Sequence, residues 1–275
     1  MLELLVVIFI ISTLFAILTP AVQKARRHAN RILSANNVRE VVRGVTLYAG
    51  DNHDKFPDSI AKIGFGGVWN WSEPTLINGY YARSPHRSMS VYLKDYITGS
   101  DALMCPNAPD KIRFLEAAWQ AGNQWDNPET SVPDDPLSGN YCFYWGYVGY
   151  LGPGRLFQGP RTSARRHGES QILMSDYFGY GHWRSSNSYG SCEKLSGGSV
   201  TLGTVVSASY WSLPGNLDEL DSLGVRPQAG FADGRVESYT AEEVVPMRAI
   251  LDVATSQPYP DGIGPGVYFV PRSGL

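Results

Sequence analysis

Nineteen consecutive residues, Leu4–Val22, carry no charge, and their polar side chains are Ser12, Thr13 and Thr19. A helix of that length crosses the hydrocarbon core of a bilayer. No later stretch of the 275-residue chain approaches it. One acid, Glu3, stands at the near edge of the run, and Pro20 lies near its far end. The segment exceeds an ordinary signal-peptide core, and Gln23-Lys24-Ala25-Arg26-Arg27 offers no small-residue cleavage site, so a retained anchor is expected. Any fold must therefore carry an apolar N-terminal rod attached to a mostly polar body.

The helical pattern continues beyond the apolar run but changes character. Ala25, Ala29, Ile32, Leu33, Val38, Val41, Val42, Val45 and Tyr48 recur at three- and four-residue steps, with Lys24, Arg26, Arg27, Arg31, Arg39, Glu40 and Arg43 between them. That is an amphipathic helix with one buried stripe, ending near Gly50. Three parts follow: residues 1–23 as the transmembrane half of the helix, 24–50 as its amphipathic half, and 51–275 as a globular body. Pro20 predicts a kink or a short unwound segment, because proline removes a helical hydrogen bond and crowds the preceding turn.

The body reads as loops with short elements, then strands. Helices are expected at Ser90–Ile97 and Lys111–Ala121, and at Ala241–Val245 a short one. Strands are expected at Tyr141–Tyr150, Gln171–Tyr177, Val200–Trp211, Ala229–Tyr239 and Val267–Val270, each rich in aromatic and β-branched residues and bounded by Gly, Pro or Asp. The expected class is α+β: a long N-terminal helix packed on a C-terminal antiparallel sheet with long loops. A net charge of -3 gives no basic field for nucleic acid.

Several features resemble the type IV pilin-like proteins, and specifically the pseudopilins related to type II secretion. Leu2-Glu3-Leu4-Leu5-Val6-Val7-Ile8 resembles their hydrophobic N-terminal methylation motif, and Pro20 has the family's spacing from the glutamate. Ala25-Arg26-Arg27 through Asn36-Asn37, then Leu47-Tyr48-Ala49 and Asp51-Asn52-His53-Asp54-Lys55-Phe56-Pro57, resemble the end of the first helix in a large bacterial subgroup. Met104-Cys105-Pro106 and Gly230-Phe231-Ala232-Asp233-Gly234-Arg235-Val236 are similar to that subgroup's Cys-Pro and its C-terminal Asp-Gly strand-turn. Two departures stand out. Leu223 occupies the position where the subgroup often has His, and Met1 and Leu2 precede Glu3 where the family has a short basic leader ending in Gly.

The resemblance implies a non-enzymatic structural subunit, a pilin or pseudopilin, with Glu3, Leu4, Leu5, Val6, Val7, Ile8 and Pro20 as its assembly residues. Its implied partners are the membrane, an inner-membrane assembly platform and further copies or related pilins, with Glu3 meeting a neighbour's N-terminal amine. It also implies a single pass through the inner membrane with the body extracytoplasmic, or an extracellular filament after assembly. The basic residues just after the span would by charge alone keep the body cytoplasmic.

Other readings of the residues compete. A membrane-anchored extracytoplasmic binding protein that does not polymerise is the alternative, with Trp69, Trp71, Tyr80, Tyr81 and Tyr141–Tyr150 as a sugar-stacking surface. An anchored hydrolase built on Arg165-Arg166-His167 and Asp176 is a third, without any Gly-x-Ser-x-Gly elbow. No cofactor is expected; Asp51, Asn52 and Asp54, with Asp58, are oxygen ligands at calcium-compatible spacing, though turn and cap duty suits them better. Cys105 and Cys142 form the expected disulfide pair, since an exported body permits oxidation.

Overall fold

The computed structural model describes residues 2–61, 73–79, 86–108, 112–131, 133–180, 189–191, 225–252, 257–258 and 267–275. The strand expected at Val200–Trp211 and the aromatic residues Trp69, Trp71, Tyr80 and Tyr81 lie outside them. The architecture is α+β: one long N-terminal helix followed by an antiparallel β domain.

Helix α1 spans Leu2–Asp51. Fifty residues at 1.5 Å each make a rod of about 75 Å. It continues through Pro20 without interruption, so the unwound segment expected there is absent. The proline takes one backbone donor from the rod, and the turns on either side hold the helical path. The end of α1 is built by its own sequence. Asp54 N–H donates to the Ala49 carbonyl (2.8 Å) across a left-handed His53, φ 58°, which closes the last turn as a C-terminal cap does.

Two larger sheets carry most of the described body. The first has strand order β10-β9-β6-β3, from β3 (Tyr141–Phe143), β6 (Ile172–Asp176), β9 (Gln228–Phe231) and β10 (Val236–Ser238). The second runs β5-β4-β11-β13-β7-β8, from β4 (Val148–Gly152), β5 (Arg155–Gln158), β7 (Phe178–Tyr180), β8 (Tyr189–Ser191), β11 (Val244–Asp252) and β13 (Val267–Pro271), with β12 (Gln257–Pro258) pairing to β11. Every strand pairing among the described residues is antiparallel. The chain passes between the sheets at Tyr144–Tyr147 and again at Tyr177. These crossings carry buried aromatic side chains: Tyr144, Trp145, Tyr147 and Tyr177, with Phe157 and Tyr268.

The loop-rich middle is a smaller unit of β1 (Leu76–Asn78), β2 (Leu137–Ser138), α2 (Met89–Leu93) and α3 (Leu115–Ala121). Arg87 pins it: Nε donates to the Gly79 carbonyl (2.8 Å), one terminal nitrogen donates to the Asp134 carbonyl (2.9 Å), and the other pairs with the Asp134 carboxylate. Burial pulls the Arg87 guanidinium below its ordinary pKa, and Asp134 opposes that fall.

Strand β11 begins where a short helix is expected. A 3-10 turn does form at Ala241–Glu243, closed by a reciprocal Thr240–Glu243 capping box. The chain then extends for nine residues despite Pro246. The proline is tolerated because β4 pairs with β11 at Arg248 and Ala249, leaving Pro246 facing β13 alone.

Cys105 and Cys142 are both buried thiols, not a disulfide. Strand alternation separates them. Tyr141 points its hydroxyl at Ser34 of α1 (3.1 Å), and Cys105 Sγ lies 3.7 Å from the same serine. Cys142, the next residue on β3, faces the opposite way, beside the Tyr144 hydroxyl, which burial pushes well above its usual pKa. Alkylation of the unreduced protein should therefore modify both cysteines after denaturation and neither before it. Recovery of a Cys105–Cys142 bridged peptide would contradict this arrangement.

Candidate functional site

The rod divides by burial. Residues 3–29 are exposed along their whole length, and contact with the body begins at Asn30. The stripe that packs down is Ser34, Val38, Val41, Val42, Val45 and Ala49. Ala25, Ala29, Ile32 and Leu33, expected in that stripe, are exposed instead. The helix leaves the body's surface one to two turns earlier than periodicity alone suggests, at Asn30.

Polar side chains fix the docked half in register. Asn30 Nδ2 donates to the Pro106 carbonyl (3.1 Å), and Asn37 Nδ2 donates to the Met104 carbonyl (2.9 Å). Between them Ser34 Oγ donates to Asp176 Oδ1 (2.9 Å), whose Oδ2 accepts from Gln228 N–H (2.8 Å). The positions 30, 34 and 37 share one helical face. Higher up, Glu40 accepts from the Thr98 backbone N–H (2.8 Å). The Cys-Pro segment is thus the shelf against which α1 is latched, and Cys105 N–H is itself held by Asn140 Oδ1 (2.8 Å).

The Gly-Phe-Ala-Asp-Gly segment supports the same docking. Asp233-Gly234 makes the β9–β10 turn: Gly234 has φ 86°, and Asp233 Oδ1 accepts from Arg235 N–H (3.1 Å). Gly230 lies directly beneath α1. A Cβ there would stand 2.4 Å from Val42 Cγ2 and 2.8 Å from Val38 Cγ1.

The undocked half carries thirteen exposed large apolar side chains between Leu4 and Val22, among them Leu4, Leu5, Val6, Val7 and Ile8. Each is worth ~1.5–3 kcal/mol when taken out of water. Together that exceeds the whole stability of a domain, so water alone is not a tenable environment for this half. By length and composition it can cross a membrane. Both of its threonine hydroxyls are satisfied within the helix: Thr13 donates to the Phe9 and Ile10 carbonyls, and Thr19 to that of Phe15 (2.7 Å). Glu3 sits in the first helical turn, exposed, where the unsatisfied N–H groups favour an anion.

The remaining candidates resolve into structural duties. Asp51 Oδ2 accepts from the Tyr96 hydroxyl (3.0 Å), Asn52 Nδ2 donates to the Tyr48 carbonyl (2.8 Å), and Asp54 Oδ1 accepts from Ser163 Oγ (3.2 Å). These oxygens turn to different partners, and among the described residues no three carboxylate, imidazole or thiol groups gather as a metal site. Asp176 is buried beneath α1, whereas Arg165, Arg166 and His167 sit on an exposed loop, so the hydrolase inventory is not assembled. Within Tyr141–Tyr150 the aromatic side chains from Tyr141 to Tyr147 are buried and leave only the half-buried Tyr150 for a sugar to meet. Nothing local in the sequence marks Asp176 as a docking group, and for Asn30 and Ser34 the one signal is their helical spacing beside an otherwise apolar stripe.

No family model matches the chain, and neither a curated protein nor a solved structure does.

Proposed function

We propose that this protein is a structural subunit of a type IV pilus-like or type II secretion-like filament, held in the inner membrane by α1 before assembly. The observation that supports this reading is the division of one helix into a bare apolar half and a half latched to the body. A simple tether needs no such continuity. A subunit that must hold its body at a fixed distance and rotation from a helical bundle does. On this reading the bare halves pack against one another while the bodies lie outside, and Glu3 is neutralised by a neighbouring subunit's amine. Apolarity does not by itself drive helices together in lipid; close packing and polar pairing do, which gives Glu3 its part.

Photo-crosslinking tests this against the non-polymerising anchor. A crosslinking residue at Leu14 or Ile17, which are 63% and 74% exposed, should yield chain-to-chain adducts in material sheared from the cell surface. Lipid adducts alone, with no sheared material, would favour the anchored binding protein.

A further inference from the structure

On the body, beyond the C-terminal end of α1, two clefts adjoin. Lys55, Arg161 and Arg166 line the first, of about 520 Å³. Arg166 also lines the second, of about 380 Å³, together with Arg155 and Arg165. These five cationic side chains face two carboxylates, Asp58 and Glu169, on a chain whose net charge is -3. Among the described residues none of the five is held in an ion pair, whereas Arg87, Arg113 and Arg235 are joined to acids elsewhere. Five cations against two side-chain carboxylates leave a local excess of positive charge, which an anion would complement.

The clefts are built rather than incidental. The loop that carries Arg161 is stitched to the segment after α1: Phe56 N–H donates to the Arg161 carbonyl (3.0 Å), and Ser163 N–H to the Asp54 carbonyl (3.0 Å). Lys55 and Thr162 bridge in antiparallel fashion between them. The floor is apolar and closed by Phe56 and Phe157, both buried. Ser59, Thr162 and Gln158 add uncharged polar groups along the walls.

We propose that this double cleft binds an acidic polysaccharide, through carboxylate or sulfate groups repeated along the chain. Guanidinium forks match those planar or tetrahedral oxyanions. Two neighbouring clefts sharing Arg166 suit a repeating ligand better than a single small anion. Lipid headgroups of the membrane crossed by α1 are too far: about 44 Å of helix separates Val22 from Asp51. Nucleic acid is the poorer fit, because the aromatic side chains lining the clefts are buried and cannot stack on bases. The proposal stands whether or not the subunit polymerises.

The test uses the full chain in detergent micelles, titrated with a sulfated glycosaminoglycan, polygalacturonate, neutral dextran and duplex DNA. Binding to at least one acidic polysaccharide and not to dextran is expected, and the arm that binds identifies sulfate or carboxylate as the group read. R161Q and R166Q should each weaken that binding at least about tenfold, the worth of one charge-assisted contact. R113Q, which removes an exposed charge elsewhere, should change it by less than twofold. Absence of binding to both acidic polysaccharides, equal affinity for DNA, or R161Q and R166Q proteins that bind as the wild type does would each overturn the proposal.

Discussion

Replacing Gly230 with valine is expected to destabilise the body by about 3 kcal/mol, the upper part of the range for overpacking a filled core. For a domain of this size that lowers the thermal midpoint by roughly 6–12 °C. The cause is the contact between β9 and α1. A single Cβ at position 230 already falls 2.4 Å from Val42 Cγ2 and 2.8 Å from Val38 Cγ1. Both valines are buried and stiff at χ1, so neither can swing aside, and the helix itself must lift. Lifting it stretches the latch at Asn30, Ser34 and Asn37 and exposes Asp176. Protease cleavage within residues 30–50 should therefore appear in the variant alongside the lower midpoint. Glu237→Val on the neighbouring strand, where the side chain is exposed, should change stability by no more than about 0.5 kcal/mol. Equal midpoints for Gly230→Val and Glu237→Val would contradict the packing described.

Much of this fold could be read from the residues before any coordinates. The apolar run, its amphipathic continuation and the Asp-Gly turn each follow from local patterning, which is why the long helix and the β9–β10 hairpin fall where expected. What failed was decided by long-range packing. Ala25, Ala29, Ile32 and Leu33 continue the apolar spacing, yet the body does not reach them, and no local signal marks where a partner surface ends. The expected Cys105–Cys142 bridge failed for a similar reason. Sequence gives the count of thiols but not the face of the strand, and Tyr141's contact with Ser34 turns Cys142 away. Strand β11 was hidden by Pro246, whose tolerance depends on how far β4 extends beside it. The latch was hidden because Asn30, Ser34 and Asn37 look like ordinary polar residues of a helix until the Cys-Pro segment and Asp176 arrive from distant parts of the chain.

The proposed assembly turns on Glu3. A carboxylate among apolar helices is costly unless a cation meets it, and breaking such a buried pair costs about 3–5 kcal/mol. Glu3→Gln keeps the shape of the side chain and removes its charge. Since Glu3 is exposed, at the far end of α1 from the docked stripe, the body's thermal midpoint should stay within about 1 °C of wild type, as expected for a change outside its packing. The decisive measurement is the ratio of filament-associated to membrane-associated chain, taken from sheared surface material and washed membranes of the same cells. The account predicts that Glu3→Gln lowers this ratio more than about a hundredfold with the membrane pool undiminished. Wild-type levels of the Glu3→Gln chain in the sheared filaments would contradict it.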